Sequence, residues 1–341
     1  MAERYAVASG NWVAATFNGG TLPASDDTVH ANGFTVTINT SITVAALSTR
    51  VGTTAVAGGS FTTSGTVTVT ADSYAGTTTC LTLAANGTQN GNSYGSNTTS
   101  ATRGTISTVA SARQNGTANG GSVSNANGTQ LDNGGLLNGN SYGGSGSNSF
   151  GAQLRQSSRQ IGDSYAGSAS NAVGTSLVNK SIQTGNSYGS TSGTAAAGTS
   201  AETGSVQVGN SNGGSILNAV GTSLSGGAVQ SGTATGGSAA GASGTTISAG
   251  IYYGATVGGT NATAYGATVA QGLAITTGTT TNTAAGLRVN NDSAVILQNG
   301  VTEANLSIGA SAGRYETGTT LAAYPFVGSG MKGFPLSRIV N

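Results

Sequence analysis

A single histidine, His30, occurs in the 341-residue chain, so a Ser/His/Asp triad or a multi-histidine metal site would have to run through it. It stands in Thr28-Val29-His30-Ala31, among strand-forming residues, and is expected to be a surface or turn histidine. Cys80 is likewise alone, which removes an internal disulfide, and Thr79-Cys80-Leu81 reads as a buried small apolar position. The carboxylates between Gly104 and Gly266 are Asp132, Asp163 and Glu202. Glycoside hydrolysis would need two of them about 5–5.5 or 6.5–9.5 Å apart. No Gly-Lys-Ser/Thr phosphate loop occurs despite 58 glycines, and Gly143-Gly144-Ser145-Gly146-Ser147-Asn148 lacks the aspartates of a calcium-binding repeat. No catalytic, cofactor-binding or metal-ligating residue is assigned, and the chain is expected not to be an enzyme.

The elements that would position these residues are repetitive. Charged residues make up 6% of the chain, against about 25% in an average soluble protein. A hydrophobic fraction of 36% with a net charge of +1 argues against disorder, and the absence of a Gly-X-Y period with 3 prolines excludes collagen. Basic residues are scattered and leave no nucleic-acid footprint, and no run reaches transmembrane length, so neither nucleic-acid binding nor membrane insertion is expected.

Asn171-Ala172-Val173-Gly174-Thr175-Ser176-Leu177 returns unchanged at Asn218-Ala219-Val220-Gly221-Thr222-Ser223-Leu224. Extended both ways, Gly104, Gly128, Gly151, Gly174, Gly198, Gly221, Gly244, Gly266 and Gly286 recur at intervals of 24, 23, 23, 24, 23, 23, 22 and 20. Three residues after these glycines stand Leu131, Leu154, Leu177, Ala201, Leu224, Ile247, Val269 and Val289. Half a period away, Gly139, Gly162, Gly185 and Gly209 introduce Asn140-Ser141-Tyr142, Asp163-Ser164-Tyr165, Asn186-Ser187-Tyr188 and Asn210-Ser211-Asn212. Gln160, Gln183 and Gln207 precede them, as Gln114 and Gln230 precede Gly116 and Gly232.

A period near 23 with two Gly/Asn corners predicts an all-β fold, a parallel β-solenoid of ~23-residue coils. Glycine is too frequent, and helix-period hydrophobics too scarce, for helical repeats. Coils ~4.8 Å apart would make the eight intervals a rod of roughly 40 Å. Stacking should place Leu on Leu and Asn on Asn, with Asn and Gln amide ladders. Asn-Gly at 127–128, 138–139 and 212–213 is expected to supply left-handed corners. The structural ladder is thus Gly128, Gly151, Gly174, Gly198 and Gly221, Leu131, Leu154, Leu177 and Leu224, and Tyr142, Tyr165 and Tyr188. The tyrosines are expected to form a stabilising cross-coil ladder, with sugar stacking as the alternative. An interior of small residues with one Leu per coil buries little apolar area, so a homo-oligomer is expected, with a trimer favoured. Asp132 and Glu202 share a column three coils apart, roughly 14 Å at ~4.8 Å per coil, and form no glycosidase pair within one chain.

The ends differ in texture. Residues 1–71 read as a β-rich N-terminal cap or attachment module, 72–290 as the solenoid and 291–341 as an irregular C-terminal cap or docking tip. Alternation in Phe34-Thr35-Val36-Thr37-Ile38 and Val67-Thr68-Val69-Thr70 marks half-buried strands. After Val289 the repeat is expected to dissolve, with Ala294–Leu297 and Leu306–Ile308 as terminal strands, followed by Tyr324-Pro325-Phe326-Val327 and Phe334-Pro335-Leu336. The run from Gly10-Asn11-Trp12 through Gly19-Gly20-Thr21-Leu22-Pro23 and Asp26-Asp27-Thr28-Val29 to Asn32-Gly33-Phe34-Thr35-Val36-Thr37-Ile38 resembles the start of G8-type β-solenoid segments. It is also similar to N-terminal regions of phage tail-fibre and other virion proteins. Phe17 stands where those patterns more often carry a second Trp. The resemblance implies a strand-rich cap or attachment module and no chemistry.

The start, Met1-Ala2-Glu3-Arg4-Tyr5, lacks an apolar stretch of signal-peptide type. Taken as the native start, it suits a virion protein released by lysis. The leading expectation is therefore a structural part of a phage virion: a tail fibre, spike shaft or capsid appendage. Its partners would be other virion proteins and a host-surface glycan or receptor. A bacterial surface adhesin or filament subunit, extracellular or on the cell surface, is the alternative. An ice-binding solenoid would use the rank Thr129, Thr175, Thr199, Thr222 and Thr245, interrupted by Ala152, Ala267 and Leu287. A glycan-cleaving spike is the remaining possibility.

Overall fold

In the computed structural model, which describes residues 2–100, 102–290, 293–298, 306–308 and 313–316, the chain winds as a parallel β-solenoid. There are about 13 coils of ~23 residues. At ~4.8 Å per coil the rod is about 60 Å long. Among the described residues two sheets run along it, a first of 22 short strands and a second of 14. The register reproduces the sequence repeat: Thr105, Thr129, Ala152, Thr175, Thr199, Thr222, Thr245, Ala267 and Leu287 stack as successive partners in the second sheet. Leu131, Leu154 and Leu177 stack likewise, all fully buried.

Each residue of the repeated Asn-Ala-Val-Gly-Thr-Ser-Leu has a separate task. Asn171 takes a left-handed corner at φ 55, where a short polar side chain tolerates the conformation. Ala172 fills a narrow side lobe formed by residues 166–173, closed at its base by the Gly167 N–H donating to the Ala172 carbonyl at 2.6 Å. Gly174 lies where the two sheets pinch together: a Cβ there would meet Tyr165 N at 2.5 Å and Tyr165 O at 2.6 Å. Thr175 and Leu177 face the main lobe, fully buried, and Ser176 lies between them on the outer face. The expectation that Asn-Gly pairs make the left-handed corners holds only at Gly139, φ 154. Left-handed corners fall instead on residues such as Asn125, Asn148, Asn171 and Asn218, with a second set that includes Asn133, Asn179 and Thr203. Gly128 is required by backbone approach, a Cβ there meeting Asn119 N at 2.4 Å.

The main lobe holds more than small residues and Leu. Gln89, Gln114, Gln160, Gln183, Gln207 and Gln230 all point inward and are essentially unexposed. These glutamines do not form the cross-β amide ladder that the sequence leads one to expect. Instead each Nε2 donates to a carbonyl of the preceding coil: Gln160 to Gly139 at 3.0 Å, Gln183 to Gly162 at 3.0 Å, Gln207 to Gly185 at 2.8 Å and Gln230 to Gly209 at 3.1 Å. Across the lobe the Oε1 accepts from a threonine hydroxyl in five coils: Thr105 to Gln89 and Thr175 to Gln160 at 2.5 Å, Thr199 to Gln183 at 3.0 Å, Thr245 to Gln230 at 2.9 Å, and Thr129 to Gln114. Where the glutamine is missing the threonine is missing too. Leu137 shares its coil with Ala152, and Tyr252 with Ala267. The Tyr252 hydroxyl donates to the Gly232 carbonyl at 3.0 Å, the bond a glutamine would have made.

The reason lies at the kink in the first sheet. Residues such as Gly162, Gly185 and Gly209 (φ 140 to 148) bend the strand out of the ladder, and a Cβ on Gly185 would stand 2.2 Å from the Gly162 carbonyl oxygen. The bend frees a carbonyl, which the inward glutamine takes. It also frees the next N–H, which the outward Asn or Asp of the preceding coil accepts: Asp163 N–H goes to Asn140 Oδ1 at 2.9 Å, Asn186 to Asp163 Oδ1 at 2.7 Å and Asn210 to Asn186 Oδ1 at 3.0 Å. Two side chains per coil thus complete a backbone that glycine has bent.

Toward the N-terminus the same coil is filled differently. Val36, Phe61 and Leu81 occupy the threonine column, and Trp12, Phe17, Val29, Ile38 and Leu47 join them in a core continuing to Ala112. The strand Thr68–Tyr74 runs through residues 71 and 72, with a bulge there where its pairing with Ile42–Ser48 shifts register. Ala14–Thr16 and Asn18–Gly20 fold across the free edge of the first coil, where Val7 N–H donates to the Thr16 carbonyl at 2.9 Å and Tyr5 N–H to Asn18 Oδ1 at 2.9 Å. Trp12 packs edge-on to Phe17 with centroids 4.7 Å apart. At the other end pairing carries past Val289, which partners Ile308, and Ser293–Leu297 pairs with Gly313–Glu316. The segments Tyr324–Val327 and Phe334–Leu336 lie outside the described residues.

Candidate functional site

The most distinctive surface array is the tyrosine column that follows the kink. Tyr142, Tyr165 and Tyr188 are ladder partners, one per coil, and their rings stack with centroids 4.8 Å apart and planes 7° apart. Tyr74 and Tyr94 make an earlier stack at 4.5 Å. The parallel register dictates this, since identical residues one coil apart sit at the inter-strand spacing. Stacking along the rod covers the ring faces and turns the edges outward, so a sugar would find faces only beyond Tyr142 and Tyr188, where Asn119 and Asn212 continue the column. Asp163 Oδ2 accepts from the Tyr165 hydroxyl at 3.3 Å, and Asp72 Oδ2 from that of Tyr74 at 3.3 Å.

Burial, followed by the charge of the neighbouring aspartate, pushes both phenols up to about 12. A phenol whose folded pKa lies above its unfolded value near 10 favours the folded state below that value. Its contribution is lost as pH rises through the folded pKa. The melting temperature is therefore expected to fall between about pH 10 and pH 12, with Tyr165→Phe flattening part of that slope. Difference absorbance of tyrosinate during the titration checks this, and ionisation of Tyr74 and Tyr165 complete by pH 10 would contradict it.

Neither His30 nor Cys80 occupies a reactive setting. His30 is neither on the surface nor in a turn: it ends the strand Thr28–His30 and is buried, its ring covered by the backbone at Gly52, where a Cβ would come within 2.7 Å. Its Nδ1 lies 3.3 Å from the Arg50 carbonyl, and its Nε2 lies 3.8 Å from Glu3 Oε1 and has no hydrogen-bond partner. Glu3 Oε2 is engaged by Thr53, accepting from its N–H at 2.6 Å and from its hydroxyl. Cys80 is fully buried, and burial pushes its thiol up to about 12.

The remaining candidates are separated by the register. Leu131, Leu154, Leu177 and Ala201 are successive partners, so Asp132 and Glu202, one residue on, stand three coils apart. That is roughly 14 Å, too far for a glycosidase pair in one chain. Thr129, Thr175, Thr199, Thr222 and Thr245 are fully buried, bonded or packed inside the main lobe, and this rank presents nothing to ice. An open groove lined by Gly213, Gly214, Gly236 and Gly237 lies beside Thr235 and Val257, which carry on the column of Tyr188 and Asn212. Among the described residues no helix is long and apolar enough to cross a membrane. Sequence reasoning found the glycine, leucine and tyrosine columns. It missed the inward glutamines' threonine partners, although the constant 15–16-residue Gln-to-Thr spacing, as from Gln160 to Thr175 and Gln183 to Thr199, was a readable signal. Comparisons with protein-family models, with curated proteins and with solved structures found no match for this chain.

Proposed function

We propose that the chain is a structural rod of a phage virion, a tail fibre, spike shaft or capsid appendage that assembles with other virion proteins and reaches toward the host surface. The observation that carries this reading is the unbranched stack of parallel coils, its N-terminal edge closed by Ala14–Thr16 and Asn18–Gly20. Continuous ladders along the axis make such a stack stiff in the direction in which an appendage must project. The resemblance of the first fifth of the sequence to phage-fibre starts supports the same reading. No catalytic role is assigned, and the rods are expected to work as homo-oligomers. Purified particles, imaged by negative stain with antibody against this chain, are expected to carry label on projecting rods. Particles without bound label would end the reading, and label on the bacterial surface instead would transfer it to an adhesin or filament subunit.

A further inference from the structure

We propose that the outer face of the first sheet, along Ile182, Val206, Val229, Ile251 and Leu273, is a lateral contact surface for a second copy of this chain. These five are successive ladder partners, so they form an unbroken aliphatic ridge along the rod. Beside it, Val208 and Tyr253 are 42% and 43% exposed. The same coils carry Ser176, Ser200, Ser223, Thr246 and Thr268 on the outer face of the second sheet. Both outer faces need only side chains that suit a strand, and β-branched or hydroxyl residues serve equally there. Ser176 is buried and the other residues of both faces are half-buried within one chain. The faces thus differ in chemistry, hydroxyl on one and aliphatic on the other, and a continuous aliphatic face is the kind that a partner covers.

Three observations favour a second copy as the occupant. No Asp, Glu, Lys, Arg or His lies between Glu202 and Arg288, so two such faces meet without like-charge repulsion from Val206 onward, whereas Ile182 at the head of the ridge has Arg159 as its ladder partner on the preceding coil. An identical rod carries ridges at the same ~4.8 Å spacing and can interdigitate over the whole run. The N-terminal edge is closed by the Val7–Thr16 and Tyr5–Asn18 bonds, which leaves the side of the rod rather than that end for association. Five coils and their flanking residues offer roughly 400 Å² per copy, below the ~800 Å² of a standard stable interface. The pairing is thus concentration-dependent in isolated protein and strengthened where copies are held together. This inference rests on the reading of the chain as a rod that assembles with its own copies.

Sedimentation velocity of the full chain over a wide concentration range tests it. The unaltered protein is expected to self-associate. Val206→Lys with Val229→Lys should weaken association at least tenfold, while Ser200→Lys with Ser223→Lys, adding the same charge to the opposite face, should leave it unchanged. If circular dichroism shows the lysine pair misfolded, Val206→Thr with Val229→Thr keeps the shape and should weaken association about threefold. An unaltered protein that stays monomeric overturns the proposal, as does equal association of both lysine pairs. Val208→Cys adds a second readout, because Cys80 is buried and unreactive: a short bismaleimide should link two copies. A monomeric Val208→Cys protein whose introduced thiol is shielded from maleimide would give the face to the chain's own C-terminal residues and overturn the proposal. Antibody-labelled particles beside a failed association would leave the virion reading standing without this face.

Discussion

Gly174→Ala is expected to cost about 3 kcal/mol. The added Cβ would stand 2.5 Å from Ser164 Oγ, 2.5 Å from Tyr165 N and 2.6 Å from Tyr165 O. Two of those atoms are backbone on the opposite sheet, so no side-chain rotation relieves the contact. The sheets must part, and parting them disturbs the Thr175 hydroxyl, which donates to Gln160 Oε1 one residue away. Because each coil touches chiefly its neighbours, the lesion should stay near its own level. Trp12, the one tryptophan, sits in the first coils and reports on a distant part of the rod. Urea unfolding followed by far-ultraviolet dichroism should therefore show an early partial loss, while Trp12 fluorescence retains the unaltered midpoint. Ser176→Ala, on the outer face two residues along, should change little. A Gly174→Ala protein that unfolds at the unaltered midpoint by both probes would show that the pinch yields without cost.

The glycine spacing was legible because a solenoid leaves nowhere for a Cβ where its two sheets touch, and the demand recurs once per lap. The leucine column was legible for the same reason, since like must stack on like. Two features escaped. The filling of the N-terminal coils escaped because Val36, Phe61 and Leu81 stand in the threonine column, which shows only once the strands are aligned. Apolar filling there, and again from Tyr252 onward, takes the place of the glutamine–threonine pairs of the middle coils. The kink chemistry escaped because it joins residues of different coils. Nothing local to Gln160 or Asn140 announces that one serves a carbonyl on Gly139 and the other an N–H on Asp163. Asn-Gly misled in the same way, since Gly128 answers to a strand across the lobe rather than to its own dihedral angles.

The pairing of glutamine with threonine carries the second large expectation, and the chain contains its own precedent. Gln230 and Thr245 are the cleanest pair: both are fully buried, Thr245 Oγ1 donates to Gln230 Oε1 at 2.9 Å, and the neighbouring serine position holds Ala234. Gln230→Leu leaves the Gly209 carbonyl and the Thr245 hydroxyl without their side-chain partner and is expected to cost about 3 kcal/mol. Thr245→Ala leaves a buried amide oxygen and a small void, about 2 kcal/mol. The double variant recreates the Leu137–Ala152 coil, so its cost should fall short of the sum by about 1–2 kcal/mol. The Gln207–Thr222 coil supplies the contrast, because Gln207 Oε1 and Thr222 Oγ1 are both buried there with no partner. Thr222→Val removes an unmet hydroxyl and should be neutral or stabilising, whereas Thr245→Val should destabilise by about 1–2 kcal/mol. Midpoints from urea titrations of these variants decide the matter: strictly additive costs at Gln230 and Thr245, together with equal effects of valine at 222 and 245, would mean that burial alone, and not the bond across the lobe, governs which residues each coil carries.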